Sequence, residues 1–507
     1  MLAAEKKDHT RLILVGLMLA ILMSAMDNTI VTTAMGTIVA DLGGMDQFVW
    51  VTSAYMVTVM AGTPIFGKLS DMYGRKRFFL FGIVMFLLGS VLCGFAGSIV
   101  QLSVYRAIQG IGGGALMPIA FTIIYDIFPV ERRGKMTGLL GAVFGTSSIF
   151  GPLLGAFITD ALSWHWVFYI NIPIGIASLL LIIPYYKESL EHAKQRIDWG
   201  GAFTLVGAVV CLMFALELGG EKYAWGSGVI LGLFAGFAVL FIAFLLTETK
   251  AQEPIISFGM FKNRLYATSC LLALFYGSVF IVATVYIPIF VQGVYGGSAT
   301  NSGIILMPMM IGSVVGSMMG GMLASRMSYR AVMALSVVCF VCGIFALGTL
   351  ANDTSRLMLT LYSILTGFGV GFSFSVLSMA SVHHFDMRQR GAATSTNSFL
   401  RSLGMTLGIT IFGIVQRNLM SSRMAEAFAG MGQGGAAFGD TREALSPEKR
   451  AMIPPEILER ITDAMASSIA HTFMWALVPT VAAVLVVIAM PKDRIIRAAA
   501  KPTEQRG

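Results

Sequence analysis

The sequence predicts an all-α integral membrane protein of fourteen transmembrane helices, arranged as two six-helix bundles with two additional helices between them. Three observations predict it. Of 507 residues, 56% are hydrophobic and only 12% charged, too few charges to solvate the surface of a soluble protein of this size. Apolar runs close to the ~20 residues that a helix needs to cross a bilayer recur along the whole chain. A set of residues also repeats at one offset: Leu102, Tyr105, Gly110, Gly112, Gly114, Phe128, Arg133, Gly134 and Gly151 recur 257 positions later as Leu359, Tyr362, Gly367, Gly369, Gly371, Phe385, Arg390, Gly391 and Gly408.

The runs, in order, are 12–33, 48–67, 78–97, 100–126, 135–160 and 166–186, forming a first bundle within 1–190. The first run follows Lys6, Lys7 and Arg11 as a signal peptide would, but it is too long for one and no small-residue cleavage site follows. Runs 200–219 and 227–246 make an inserted pair within 191–250. Runs 265–290, 300–324, 331–350, 356–381, 391–416 and 468–490 make the second bundle within 251–507. The offset of the repeat equals eight helices on this map, which is what places the pair between the bundles. Segment 417–467 is the one sizeable polar piece, expected as an extracellular loop. Its Pro455-Glu456-Ile457 can start an amphipathic helix.

The formal charge of +8 does not point to nucleic acid, because the basic residues are sorted by loop. On the side that holds both termini, Lys and Arg number 25; the opposite side has 8, six of them in the long loop. The side with 25 is cytoplasmic by the positive-inside rule. All five cysteines lie in apolar runs, and Cys339 and Cys342, spaced as C-x-x-C on a membrane helix without a second pair, read as packing residues.

Embedded charge is the sharpest chemical signal, because an ionised side chain at bilayer depth costs at least ~2.5–3.5 kcal/mol. Asp27 is ~22 Å from the inner edge of its helix, and Arg106, on an oppositely running helix, is ~21 Å above that edge. The two are level, as a proton-coupling pair or a fixed ion pair requires. Glu217, nearer the outer edge, is the next candidate proton site. Arg401 lies near mid-membrane, where it can recognise a polar or anionic group or bridge helices. Tyr55, Gln109, Tyr276, Tyr286, Gln292 and Asn397 are candidate cavity polar groups.

The loop between the second and third runs, Gly67-Lys68-Leu69-Ser70-Asp71-Met72-Tyr73-Gly74-Arg75-Lys76, holds two glycines seven apart, an acid between them and a basic cluster after. Positive-inside topology accounts for Lys76, not for Gly67, Asp71 and Gly74 at their spacing. The glycines permit close helix approach and a tight turn. Asp71 can cap a helix start, and Arg75 can reach Asp126 at the end of the fourth run. A degraded echo, Gly321-Met322-Leu323-Ala324-Ser325-Arg326, keeps the first glycine and loses the acid. Gly151, Pro152 and Gly155 flatten the fifth helix for close packing.

That loop resembles the loop between helices two and three of the major facilitator superfamily. Leu102 to Gly114 resembles its fourth-helix motif, with Arg106 as the embedded arginine, and Gly151-Pro152-Leu153-Leu154-Gly155-Ala156 resembles the fifth-helix motif of antiporters, with Ala156 in place of a glycine. Met26 to Val31, Phe261 to Arg264, Gln292 to Pro308, and Trp164 to Gly175, where His165 replaces the usual arginine, are similar to the fourteen-helix drug:proton antiporter branch. The resemblance implies the parallel six-helix repeat. It also implies a latch at Gly67, Asp71, Gly74, Arg75, Lys76 and Asp126, and proton coupling at Asp27 and Arg106.

Enzyme signatures are missing: Gly62 to Lys68 nearly spells a phosphate-binding loop, but Leu69 stands where Ser or Thr belongs and the context is a membrane helix. The expected function is proton-coupled export of amphipathic, often cationic, drugs across the cell membrane by a monomer. Its partners are small-molecule substrates, protons and the lipid bilayer, without metal, cofactor or nucleic acid. A dedicated exporter or symporter of one metabolite, lipid or siderophore is the first alternative, and a non-transporting receptor or lipid-modifying protein on this fold the second.

Overall fold

The computed structural model describes residues 2–43, 49–188, 197–220, 222–296, 299–427 and 453–494. Among them the chain is helical, with one isolated β-bridge between Gly219 and Tyr223. The helices are α1 (Leu2–Leu42), α2 (Val49–Tyr73), α3 (Arg75–Gly94), α4 (Ile99–Ile127), α5 (Val130–Ala161), the single turn α6 (Trp166–Tyr169), α7 (Asn171–Tyr185), α8 (Trp199–Leu218), α9 (Gly228–Lys250), α10 (Arg264–Gly293), α11 (Ala299–Ala324), α12 (Tyr329–Leu347), α13 (Arg356–Val382), α14 (Arg390–Ala427) and α15 (Pro455–Ala489).

Local chemistry starts many of them. Ser98, Ser227, Ser328 and Ser355 accept the N–H three residues on, Asp198 accepts from Gly201, and Asn263 accepts from Leu265 and Tyr266, satisfying first-turn donors that lipid could not. Proline lies inside α2, α4, α7, α10, α11 and α15, as membrane helices tolerate when neighbours cover the freed carbonyls.

Twelve of these spans are long and apolar enough to cross a membrane, α6 and α7 together forming one, Trp166–Tyr185. The expected count was fourteen. The two long helices outside the twelve are α2, with Thr58, Thr63, Lys68 and Asp71, and α5, which opens on Glu131, Arg132, Arg133 and Lys135. Both pack between other helices, and a helix covered by protein can carry more polar residues than one facing lipid. The peripheral helix α9 shows the contrary case: Val239, Phe241, Ile242 and Leu246 are exposed, a surface stable only under acyl chains.

The packing repeats itself. In the first half α1 packs on α5 and α7, α4 on α2 and α3, and α3 on α7; in the second, α10 packs on α14 and α15, α13 on α11 and α12, and α12 on α15. The halves meet through α5 with α11 and α2 with α14. The pair α8–α9 packs on itself, and α8 also on α2 and α14. Helices also claim both ends of the segment 417–467: α14 runs on to Ala427, and the helix starting at Pro455 continues unbroken through the last apolar run. Gly435 and Ser189, the positions that would report loop sidedness, lie outside the described residues.

Candidate functional site

Asp27 sits fully buried at the meeting point of four helices. Arg106 Nη1 donates to Asp27 Oδ2 and to Gln109 Oε1 (2.6 Å). Gln109 Nε2 and Asn171 Nδ2 each donate to Asp27 Oδ1 at 2.8 Å, and both reach Ser90 Oγ, at 2.7 and 3.1 Å. The carboxylate thus holds three donors, which the acceptor-only ionised form satisfies. The Arg106 guanidinium lies 4.1 Å from the centroid of the Tyr55 ring, a cation–π contact, and Nε donates to the Val51 carbonyl at 3.4 Å. The glycines of α4 make this geometry possible. A Cβ on Gly110 would strike Tyr55 and Thr58 of α2, and one on Gly112 would strike Phe86 and Gly82 of α3. Small residues let α2, α3 and α4 approach until Tyr55 reaches Arg106 and Ser90 reaches the amides of Gln109 and Asn171 that hold Asp27.

A second network lies at the end of the molecule where α2 finishes and α14 begins. Asp71 accepts the N–H groups of Gly391 (2.9 Å) and Ala392 (2.8 Å), the exposed donors of the α14 N-terminus, where a negative charge also meets the helix dipole favourably. Arg75 Nη2 donates to Asp71 (3.1 Å) and to the Met387 carbonyl, and Nη1 pairs with Asp126. Arg390 approaches Asp126 at 3.5 Å. Gly74, at φ 116, makes the turn between α2 and α3 in a region that side chains avoid. Gly67 lies against Gly391 and Ser395, with no room for a Cβ. Lys76 stands apart from this network, donating to the Ile183 carbonyl at 2.6 Å, while Lys68 pairs with Glu253 (2.7 Å) of the α9–α10 connector. Gly151 and Gly155 pack α5 on Thr29, Ile30 and Thr33 of α1, with Pro152 between them in sequence.

The remaining candidates are scattered. Tyr276 is fully buried in the second half, its hydroxyl 2.9 Å from Ser336 and its ring stacked on Phe340. Tyr286 donates to the Phe412 carbonyl (3.3 Å), and Asn397 to the Ser269 carbonyl (3.2 Å), so both bridge α10 and α14. Gln292 is exposed near the end of α10. Glu217 is half-buried near the end of α8 and is not among the partners of Asp27. Arg401 donates to Ser373 of α13 through both terminal nitrogens, each at 3.1 Å. Sequence reasoning missed Asn171 and Ser90. Asn171 stands inside the Trp164–Gly175 motif, near the start of its apolar run, where a polar residue is ordinary; its place in that motif was the available signal.

Comparison with known proteins places this architecture. The sequence model of the Major Facilitator Superfamily matches residues 17–409. Multidrug resistance protein 3 of Bacillus subtilis (strain 168) is 61% identical over 495 residues, covering 97% of this chain and 97% of that protein. Multidrug transporter protein MdtP of the same organism is 37% identical over 423 residues, 83% of this chain and 78% of that protein. Among solved structures, a bacterial homologue of the human lysosomal transporter Spinster aligns with a TM-score of 0.58 at 16% identity, covering 97% of this chain and 99% of that one. The proton:xylose symporter XylE aligns at 0.57 and 15%, covering 93% and 96%. At such identities the likeness is one of fold.

Proposed function

Because this chain belongs to the major facilitator superfamily, we propose that it is a proton-coupled antiporter, exporting amphipathic, often cationic, drugs across the cytoplasmic membrane by alternating access. The observation that carries the reading is the buried Asp27 network, an ionisable group at bilayer depth held by donors that a proton would displace. Relatives named for multidrug resistance and multidrug transport support the substrate class.

In this cycle Asp27 takes a proton from outside and gives up its charged bond with Arg106 as substrate leaves. The protein turns inward, and Asp27 releases the proton as the next substrate binds. A membrane potential of 100 mV supplies ~2.3 kcal/mol per charge moved, so one net proton is a useful driving force. Asp71, Arg75 and Asp126 hold the cytoplasmic side shut in the outward-facing state and do not touch substrate. We count α2 and α5 as spans, giving fourteen: six within 1–190, two within 191–250 and six within 251–507. The sorting of basic residues puts both termini in the cytoplasm, and the working unit is a monomer.

The test uses energised inside-out vesicles and a panel of cationic dyes and antibiotics. Addition of a substrate should discharge the pH gradient with the native protein and not with Asp27→Asn. Silence of the native protein toward every compound would sink the reading.

A further inference from the structure

Arg401, half-buried, differs from the buried Arg75 and Arg106 in having no counter-charge among the described residues. Arg106 has Asp27, and Arg75 has Asp71 and Asp126. Arg401, in the apolar part of α14, has no carboxylate within ion-pair distance among the described residues; its partners are the Ser373 hydroxyl and carbonyl. Two of its five N–H groups are so engaged, leaving three. The guanidinium lies 4.6 Å from the centroid of the Phe374 ring, which in turn packs edge-on against Phe280 at 5.7 Å. A Cβ on Gly141 of α5, in the first half, would lie 3.8 Å from Phe374 Cβ, so this platform stands where the halves face each other. Arg401 is half-buried, not sealed in.

A cation partly removed from water without a counter-ion is costly unless one arrives. At Asp27 the opposite holds: that carboxylate already has three donors. We propose that Arg401, Ser373 and Phe374 form a subsite for the carboxylate, or a like monoanionic oxygen group, of an amphipathic substrate. The anion takes the free guanidinium donors, and adjoining apolar surface lies on Phe374 and Phe280. The inference rests on the transport reading and deepens it: zwitterionic amphiphiles join the cationic ones as substrates.

The test measures binding of two probes to purified protein in neutral, lipid-free detergent: rhodamine 110, with a free carboxylate, and its methyl ester, rhodamine 123. Arg401→Gln should weaken rhodamine 110 by about tenfold, as loss of a charge-assisted contact does, and leave rhodamine 123 within about twofold. Ser373→Asp keeps the arginine and gives it an internal counter-ion, so it should produce the same selective loss in a protein whose charges are paired. Equal effects on both probes in Ser373→Asp, or no effect, overturn the subsite. Phosphatidylglycerol is then added: competition with rhodamine 110 in the native protein that disappears in Ser373→Asp assigns the subsite to a lipid phosphate and overturns the substrate assignment. Efflux of rhodamine 123 by energised vesicles is read separately. Its absence counts against the transport reading, whereas efflux of both dyes with unchanged selectivity in the variants counts against Arg401 alone.

Discussion

Gly134 and Gly321 meet backbone to backbone: a Cβ on either would overlap the other's carbonyl. Gly67 and Gly391 make the corresponding contact between α2 and α14. The internal repeat equates Gly134 with Gly391, and the echo of the Gly67–Lys76 loop equates Gly67 with Gly321. Each half therefore contributes one glycine of either kind, and the two seams between the halves are the same contact made twice. They differ in charge, because Asp71 reinforces the α2–α14 seam and the echo has no acid.

Gly134→Ala should hold the α5–α11 seam apart. In a background lacking Cys93, Cys211, Cys270, Cys339 and Cys342, a cysteine at the buried Ser317, which faces Gly138 and Gly141, reports the opening. Its reaction with a thiol reagent should quicken by about tenfold, the population change that ~1.4 kcal/mol produces. An unchanged rate would mean that the seam does not set the conformational balance.

Asp71→Asn, Arg75→Ala and Asp126→Asn should each cut transport and spare substrate binding, as the proposed latch requires of residues that bias a state equilibrium by a few kcal/mol without contacting ligand. Normal transport in Asp126→Asn would show that Asp126 is not the essential partner of Arg75. Loss of binding in all three would indicate misfolding.

Asp27→Asn copies the protonated side chain without titrating. Gradient-driven efflux and substrate-induced proton release should fall to the leak level, with normal membrane insertion, and cationic substrates should bind more weakly. Retained proton release would transfer the coupling role to Glu217.

His383 stands just beyond α13, Nδ1 3.2 Å from the Tyr329 hydroxyl, its ring edge-on to Tyr329 and beside His384. Burial, then the neighbouring His384, pushes its titration below the usual histidine value, with Asp493 pulling the other way. The folded state thus disfavours the charged ring, so the contribution is present above the unfolded pKa and lost as pH falls through the lowered folded one. Amide protection at the adjoining ends of α12 and α13, corrected for the intrinsic exchange rate that itself slows on acidification, should fall as pH drops below about 6.5, and the change should vanish in His383→Gln. A slope that persists in His383→Gln would assign the titration to another group.

The sequence by itself determined the apolar runs, their pairing into repeated halves, and the special status of Asp27, Arg106 and the Gly67–Lys76 loop. Hydropathy and embedded charge carry penalties large enough to read residue by residue. Which groups surround those charges was a matter for the tertiary structure. Ser90 reaches the amide of Gln109 because Gly89 and Gly112 let α3 and α4 close up, and Asn171 reaches Asp27 from α7, which packs on α1. Tyr276 and Asn397, polar groups on apolar runs and so plausible in a cavity, turned out to hold helices together within the second half. Arg401 was visible as a charge, but that no described residue supplies it a counter-ion was not, because absence of a carboxylate is a property of every neighbouring helix at once. A hydropathy pattern fixes where a helix runs along the chain. The rotation and close approach that decide which polar atoms meet depend on packing between segments hundreds of residues apart.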